Sequence, residues 1–158
     1  MAINFFKEEC SSKTNEIVFG IIDLPPSTLV FDEEAEWNVW VDNNNGKEIT
    51  HVAIDDCLGI PHEDGERCES LIIYDDTITF IELKDRDGGR WAGKARDQLI
   101  NTIALFRKNV NIKKYKRHYG HIANKQRPHF KSGGKIFSQK FEDETGFILR
   151  ISDVIKID

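Results

Sequence analysis

Glu69-Ser70-Leu71-Ile72-Ile73-Tyr74-Asp75-Asp76-Thr77-Ile78-Thr79-Phe80-Ile81-Glu82-Leu83-Lys84 is the stretch on which the fold turns. Two runs rich in Ile, Thr and aromatics flank Asp75-Asp76, which predicts a β-hairpin closed by a tight turn. Side chains alternate along a strand, so Ile78, Phe80, Glu82 and Lys84 share one face and Thr79, Ile81 and Leu83 the other. Both faces are apolar until the charged end, the pattern of a strand covered on both sides. Charge at the end of a buried strand is costly unless compensated. Glu82 and Lys84 can neutralise each other as an ion pair, with Glu69 a solvated strand end. A divalent cation between Glu69 and Glu82 would also compensate the charge, and two carboxylates with an ammonium are the minimum equipment for metal-assisted hydrolysis of a phosphodiester.

Glu69, twelve intervening residues and Glu82-Leu83-Lys84 resemble the core motif of the PD-(D/E)XK nuclease superfamily. That family carries an acid, a hairpin, E-x-K on the next strand, and often a polar residue on the helix that follows. Gln98, within Trp91–Leu99, matches that last position. The resemblance spans residues 68 to about 106, a quarter of the chain, and reaches about 127 with the next strand. It departs at the first acid, where the family usually has Asp and this chain has Glu69. The longer side chain shifts the carboxylate by about one C–C bond, in sites that tolerate about 0.5 Å.

The resemblance implies a mixed α/β (α+β) fold with a restriction-endonuclease-like core, a central mixed sheet flanked by helices. It also implies a Mg²⁺- or Mn²⁺-dependent nuclease acting on DNA or RNA. Catalysis would rest on Glu69, Glu82, Lys84 and Gln98. The metal would sit on Glu69, Glu82 and the backbone carbonyl of Leu83, with Glu9 of the N-terminal segment as a further acid. Hard oxygen donors and retained waters suit these ions rather than zinc. Enzymes of this kind often act as homodimers on duplexes. The alternative is a catalytically silent relative serving as a protein-binding module, an adaptor or an immunity protein whose acidic half covers a basic partner. A third reading is a non-catalytic nucleic-acid binder.

Charge is divided along the chain. Residues 1–97 hold 22 acids and 9 bases, whereas residues 98–158 hold 5 acids and 13 bases. No acid occurs between Gln98 and Lys140. A basic segment of this kind is the footprint of a nucleic-acid contact, and equally of a solvated face paired with the acidic half. Around Tyr115 and Tyr119 bases and aromatics interleave, which suits phosphate contact with base stacking. Lys94, Lys113, Lys114, Lys116, Arg117, Lys125 and Arg127 are the expected nucleic-acid contacts.

The 158 residues read as one domain. No apolar run approaches the ~18 residues of a membrane helix, and the N-terminus lacks a signal-peptide pattern. With three cysteines, Cys10, Cys57 and Cys68, the expectation is buried thiols in a reducing cytoplasm. A zinc site from Cys57, Cys68 and His62 is the weaker alternative.

Elsewhere, Ile3, Phe5, Phe6 and Cys10 suggest a helical stripe over residues 2–14. Pro25-Pro26 interrupts regular structure, and Leu29-Val30-Phe31 reads as a short strand. Residues 36–42 and 49–54, about the Asn43–Lys47 turn, predict a second hairpin. Ala95, Leu99, Thr102, Ile103 and Phe106 form the apolar stripe of a helix over about 91–108. A strand around 115–124 then runs parallel to the Glu82 strand, because a helix connects them. Lys131-Ser132-Gly133-Gly134-Lys135 reads as a flexible turn, and residues 147–157 as a terminal strand and tail.

Overall fold

The computed structural model describes residues 2–86, 88–126 and 134–158. Its centre is a six-stranded mixed sheet in the order β1-β5-β6-β7-β8-β9. These are β1 (Ser11–Thr14), β5 (Ile49–Ala53), β6 (Ser70–Tyr74), β7 (Thr77–Lys84), β8 (Arg117–Asn124) and β9 (Ile148–Ile151). The expected hairpin is β6–β7, paired from Tyr74↔Thr77 to Ser70↔Ile81, with Asp75 in the left-handed region (φ 50°) at the turn. Seven of the eight residues of β7 are buried, as its two apolar faces require. The helix α1 (Trp91–Asn109) then returns the chain to β8, which lies parallel to β7 with Glu82 beside Ile122.

The two faces of the sheet have different covers. One carries α1 and α2 (Gly134–Thr145), through a core built on Leu71, Phe80, Leu99, Ile103, Phe106 and Phe141. Phe80 and Phe5 both meet Phe106 edge-on, with centroids 5.2 and 5.1 Å away. The other face carries a four-stranded sheet ordered β10-β4-β2-β3, from β2 (Val18–Ile22), β3 (Thr28–Val30), β4 (Val39–Asp42) and β10 (Val154–Lys156). Phe19, Ile21, Val39 and Val41 pack there against Ile72, Ile81 and Leu83. Among the described residues, helices α1 and α2 therefore flank the central sheet on one side only. The sheet-on-sheet contact accounts for the apolar Ile81 and Leu83 on the face away from Glu82.

Two glycines are fixed by close approach. A Cβ at Gly20 would stand 2.3 Å from the Trp37 ring, and one at Gly120 would stand 2.7 Å from Phe141, where α2 lies on the sheet.

Four expectations need correction. The N-terminal stripe is not a helix: only a 3-10 turn at Glu8–Cys10 forms before β1, which pairs antiparallel with β5. A short isolated helix is marginal, and here Phe5 is held by the core and the Ile3 amide by Asn109 Oδ1 (2.8 Å). Strands β4 and β5 do not pair; they belong to different sheets. Buried Asn43 accounts for this, since it bonds the carbonyls of Glu16 and Lys47 and turns the chain from one layer into the other. The cysteines are not three thiols: Cys10 and Cys57 form a disulfide that ties the N-terminal segment to the turn after β5, and only Cys68 is free. Cys57 is thereby unavailable for a zinc site. Finally, Gly134 and Lys135 begin α2, and the tail contains β10, parallel to β4. Lys131–Gly133 lie outside the described residues.

Candidate active site

The end of β7 brings three of the expected side chains together. Glu82 is 1% exposed, and its Oε2 lies 3.1 Å from Lys84 Nζ. The other oxygen, Oε1, accepts the Glu69 amide at 3.1 Å. Lys84 Nζ also donates to Gln98 Oε1 at 2.6 Å, so the helix residue closes the constellation. Gln98 Nε2 reaches the Arg67 carbonyl at 3.4 Å. Thr102, one turn further along α1, is fully buried. Its hydroxyl accepts the Cys68 amide at 2.8 Å and donates to the Gln98 carbonyl at 2.8 Å. One hydroxyl thus fixes the start of β6 against α1, and so the spacing between Glu69 and Gln98.

Electrostatics make this a proton-rich pair of carboxyls. Burial raises the Glu69 pKa to about 9, reinforced by the Glu82 and Asp23 charges, a hydrogen bond to Asp23, and Asp55. Burial also raises Glu82, to about 7, against the pull of Lys84 and the Glu69 amide. Glu69 is thus the carboxyl that favours its proton at neutral pH, and a cation beside it would offset the same burial and like charge. Among the described residues no three His, Cys, Asp or Glu side chains are grouped to hold a metal ion. Mg²⁺ asks for less, since it keeps several waters and takes one or two carboxylates alongside substrate phosphates. Glu69 and Glu82 are donors of that type, with Glu82 Oε2 on Lys84 and Oε1 on the Glu69 amide, and the Leu83 carbonyl lies between Glu82 and Lys84 in the chain. An all-protein cage is absent among the described residues.

No protein-family model, curated protein or solved structure matches this chain.

An open cleft of about 500 Å³ begins at Lys84 and Gln98 and is walled by Asp55, Arg67, Arg86 and Lys94. Asp55 pairs with Arg67 Nε at 3.0 Å. Neither glutamate lines the cleft; Lys84, 11% exposed, both lines it and touches Glu82. No helix among the described residues is long and apolar enough to cross a membrane.

The remaining expected residues divide. Lys94 lines the cleft, 4.0 Å from Glu66. Lys125 follows β8 at the site end, its amide on the Lys84 carbonyl (2.9 Å). Lys113, Lys114, Lys116 and Arg117 stand at the other end of the sheet. Arg117 pairs in register with Thr77, and strand rise puts that level about 23 Å from Lys84. There Arg117 meets Asp158 at 3.3 Å and Lys114 covers the Phe6 and Tyr115 rings. Arg127 lies outside the described residues. Glu9 is exposed and pairs with Lys7 at 3.8 Å, and it is not among the acids acting on Glu69 or Glu82. His118 bonds the Tyr115 carbonyl, and His121 is buried on the Ser152 carbonyl.

Four residues were missed by sequence reasoning. Asp23, from the loop after β2, arrives by a long-range contact that has no local signature. Asp55 and Arg67 sit in polar loop sequence without periodicity. Thr102 was legible only as part of the helix's buried stripe, where its hydroxyl was the available signal.

Proposed function

We propose that this protein is a metal-assisted phosphodiesterase acting on DNA or RNA. The observation that carries the reading is the contact set at the end of β7, in which Lys84 lies 3.1 Å from Glu82 and 2.6 Å from Gln98 while Glu82 receives the Glu69 amide. The order of elements adds support: an antiparallel meander β5-β6-β7, the helix α1, then β8 parallel to β7. Within it, the hairpin β6–β7 followed by α1 is the part that the resemblance to PD-(D/E)XK nucleases implies.

In this reading Glu69 and Glu82 would hold Mg²⁺ or Mn²⁺, which would supply an activated water and charge stabilisation at the scissile phosphate. Lys84 presents an ammonium to the cleft, oriented by Glu82 Oε2 and Gln98 Oε1, where it offsets charge that develops on phosphate oxygens. Gln98 fixes the direction of that ammonium. Burial of Glu82 keeps bulk water from competing for its oxygens. A cytoplasmic setting suits such an activity, although the Cys10–Cys57 bridge would there face a reducing pool.

The rival reading is a silent protein-binding module, and one feature favours it: both glutamates stand behind the cleft wall, with Lys84 locked between Glu82 and Gln98. Incubation of plasmid and single-stranded substrates with Mg²⁺ or Mn²⁺ separates the two. The expected result is cleavage by the wild type and none by Lys84→Ala. Equal inertness of both proteins across metals and substrates would overturn the hydrolase reading.

A further inference from the structure

Beyond Lys84 the cleft does not end. A second cavity of about 550 Å³ continues from it, sharing Glu66, Arg86 and Lys94 and bounded by Gly88, Arg90 and Trp91. The two together make a continuous groove from Gln98 to the first turn of α1. Three cations, Arg86, Arg90 and Lys94, line its second half, and all three are exposed. The side chains of Arg86 and Arg90 have no ion-pair or hydrogen-bond partner among the described residues, while Lys94 has only Glu66 at 4.0 Å. Asp97, on the rim, is turned to Arg96 at 3.7 Å.

The backbone here is held from behind and bare in front. Buried Asn124 donates to the Arg86 carbonyl at 2.8 Å and accepts the Arg86 amide at 3.1 Å, so Arg86 leaves the sheet at a fixed point. A Cβ built on Gly88, Gly89 or Gly93 would meet no atom within 4 Å, so the wall at these points is open main chain. Among the described residues no side chain caps α1, and its first turn contains no acid. Cations without partners among the described residues and exposed main chain along one groove are features that hold phosphates.

We infer that this groove, with Arg86, Arg90 and Lys94 along its wall, is the track for the nucleic-acid backbone on one side of the cleaved phosphate, in place of the basic segment at residues 113–117. The inference rests on the hydrolase reading for what happens at the Lys84 end, but binding can be tested without it. The basic segment lies at the opposite end of β8, and its charges are partly engaged by Asp158, Phe6 and Tyr115. A strand bound there would not cross the Lys84 cleft.

Anisotropy of labelled single-stranded and duplex oligonucleotides in EDTA, over a salt series, is the test. The groove variant is Arg86→Gln/Arg90→Gln/Lys94→Gln, and the remote variant is Lys113→Gln/Lys114→Gln/Lys116→Gln, each checked for an unchanged melting temperature. The groove variant is expected to lose about tenfold or more in affinity and to show a shallower salt slope, by roughly one unit for each phosphate that is no longer neutralised. The remote variant is expected to stay within about twofold of wild type. Wild-type binding by the groove variant, weakening confined to the remote variant, or a wild type that binds neither oligonucleotide would overturn the inference. Cleavage is scored separately with Mg²⁺ and Mn²⁺. Binding through the groove without cleavage would remove the hydrolase reading and leave the track standing.

Discussion

The two ends of the β7–β8 strand pair handle charge in opposite ways. Where the strands begin, beside Thr77 and Arg117, the charges are exposed and meet at the surface, as Arg117 meets Asp158. Where they finish, beside Lys84 and Asn124, exposed charges such as Arg86 and Lys94 stand around a connected set, Glu82, Lys84, Glu69 and Gln98, that is mostly out of water. Exposed pairs contribute little because water screens them and long side chains lose entropy on pairing. In the buried set each member's state depends on the others. The run of bases at residues 113–117 thus points to one end of the molecule, and interdependence of charge points to the other.

The largest contrast should come from Glu82. In Glu82→Ala the Lys84 ammonium and the Glu69 amide lose their acceptor inside the protein, and urea denaturation should register a loss of about 3–5 kcal/mol. Removing Arg117, at the other end, should cost less than about 1 kcal/mol. A Glu82→Ala protein as stable as Arg117→Ala would erase the distinction. Next is activity: Lys84→Met, which keeps the stem and drops the charge, should lower single-turnover cleavage by about 10²–10³-fold while folding is retained. Thr102→Val should follow, at about 1–3 kcal/mol, because the buried Cys68 amide loses its acceptor, while the Gln98 carbonyl keeps its helical bond. Its readout is the urea midpoint, with a parallel fall in cleavage if Thr102 sets the Glu69–Gln98 spacing.

Smaller, but directional, is the pH dependence. Glu69 binds its proton in the folded protein up to about pH 9 and loses it near 4.5 when unfolded. The folded state therefore holds more protons through that window, and metal-free stability should fall as pH rises. At the acid side His51 and His121 act in reverse. Burial lowers both to about 4, so their contribution is complete above about 6.5 and is lost as pH falls towards 4. Glu82, raised to about 7, loses its contribution over the lower part of the same window, so a maximum on the acid side of neutrality is expected in thermal melts, and Glu69→Gln should flatten the fall that continues towards pH 9. An alkaline limb unchanged in that variant would show that Glu69 does not hold the proton.

Much of the fold was legible because β7 carries two periodic signals at once. Apolar residues on both faces required cover on both sides, and the 3.6-residue stripe from Ala95 to Phe106 supplied one of the covers. The second cover was not legible: Phe19, Ile21, Val39 and Val41 alternate as strand residues, but nothing local told the β4–β5 turn to change layers. Buried Asn43 decided that through Glu16, a partner 27 residues away. Of the candidate site, Glu82 and Lys84 meet as the ion pair that their shared strand face allowed, and Gln98, placed by the resemblance, reaches Lys84 from the helix that follows. Asp23 and the Arg86 groove were not legible, since the first depends on a loop from the other sheet and the second on which cations remain without partners once the chain has folded.

The most direct test of the glutamate pair is calorimetric titration with Mn²⁺ near pH 7.5, in two buffers of different ionisation enthalpy. The expected result is binding by the wild type with release of protons from the Glu69–Glu82 pair, and loss of that binding in Glu82→Gln. Equal heats from the two proteins, or no Mn²⁺ binding by the wild type, would contradict a metal-assisted site at the end of β7.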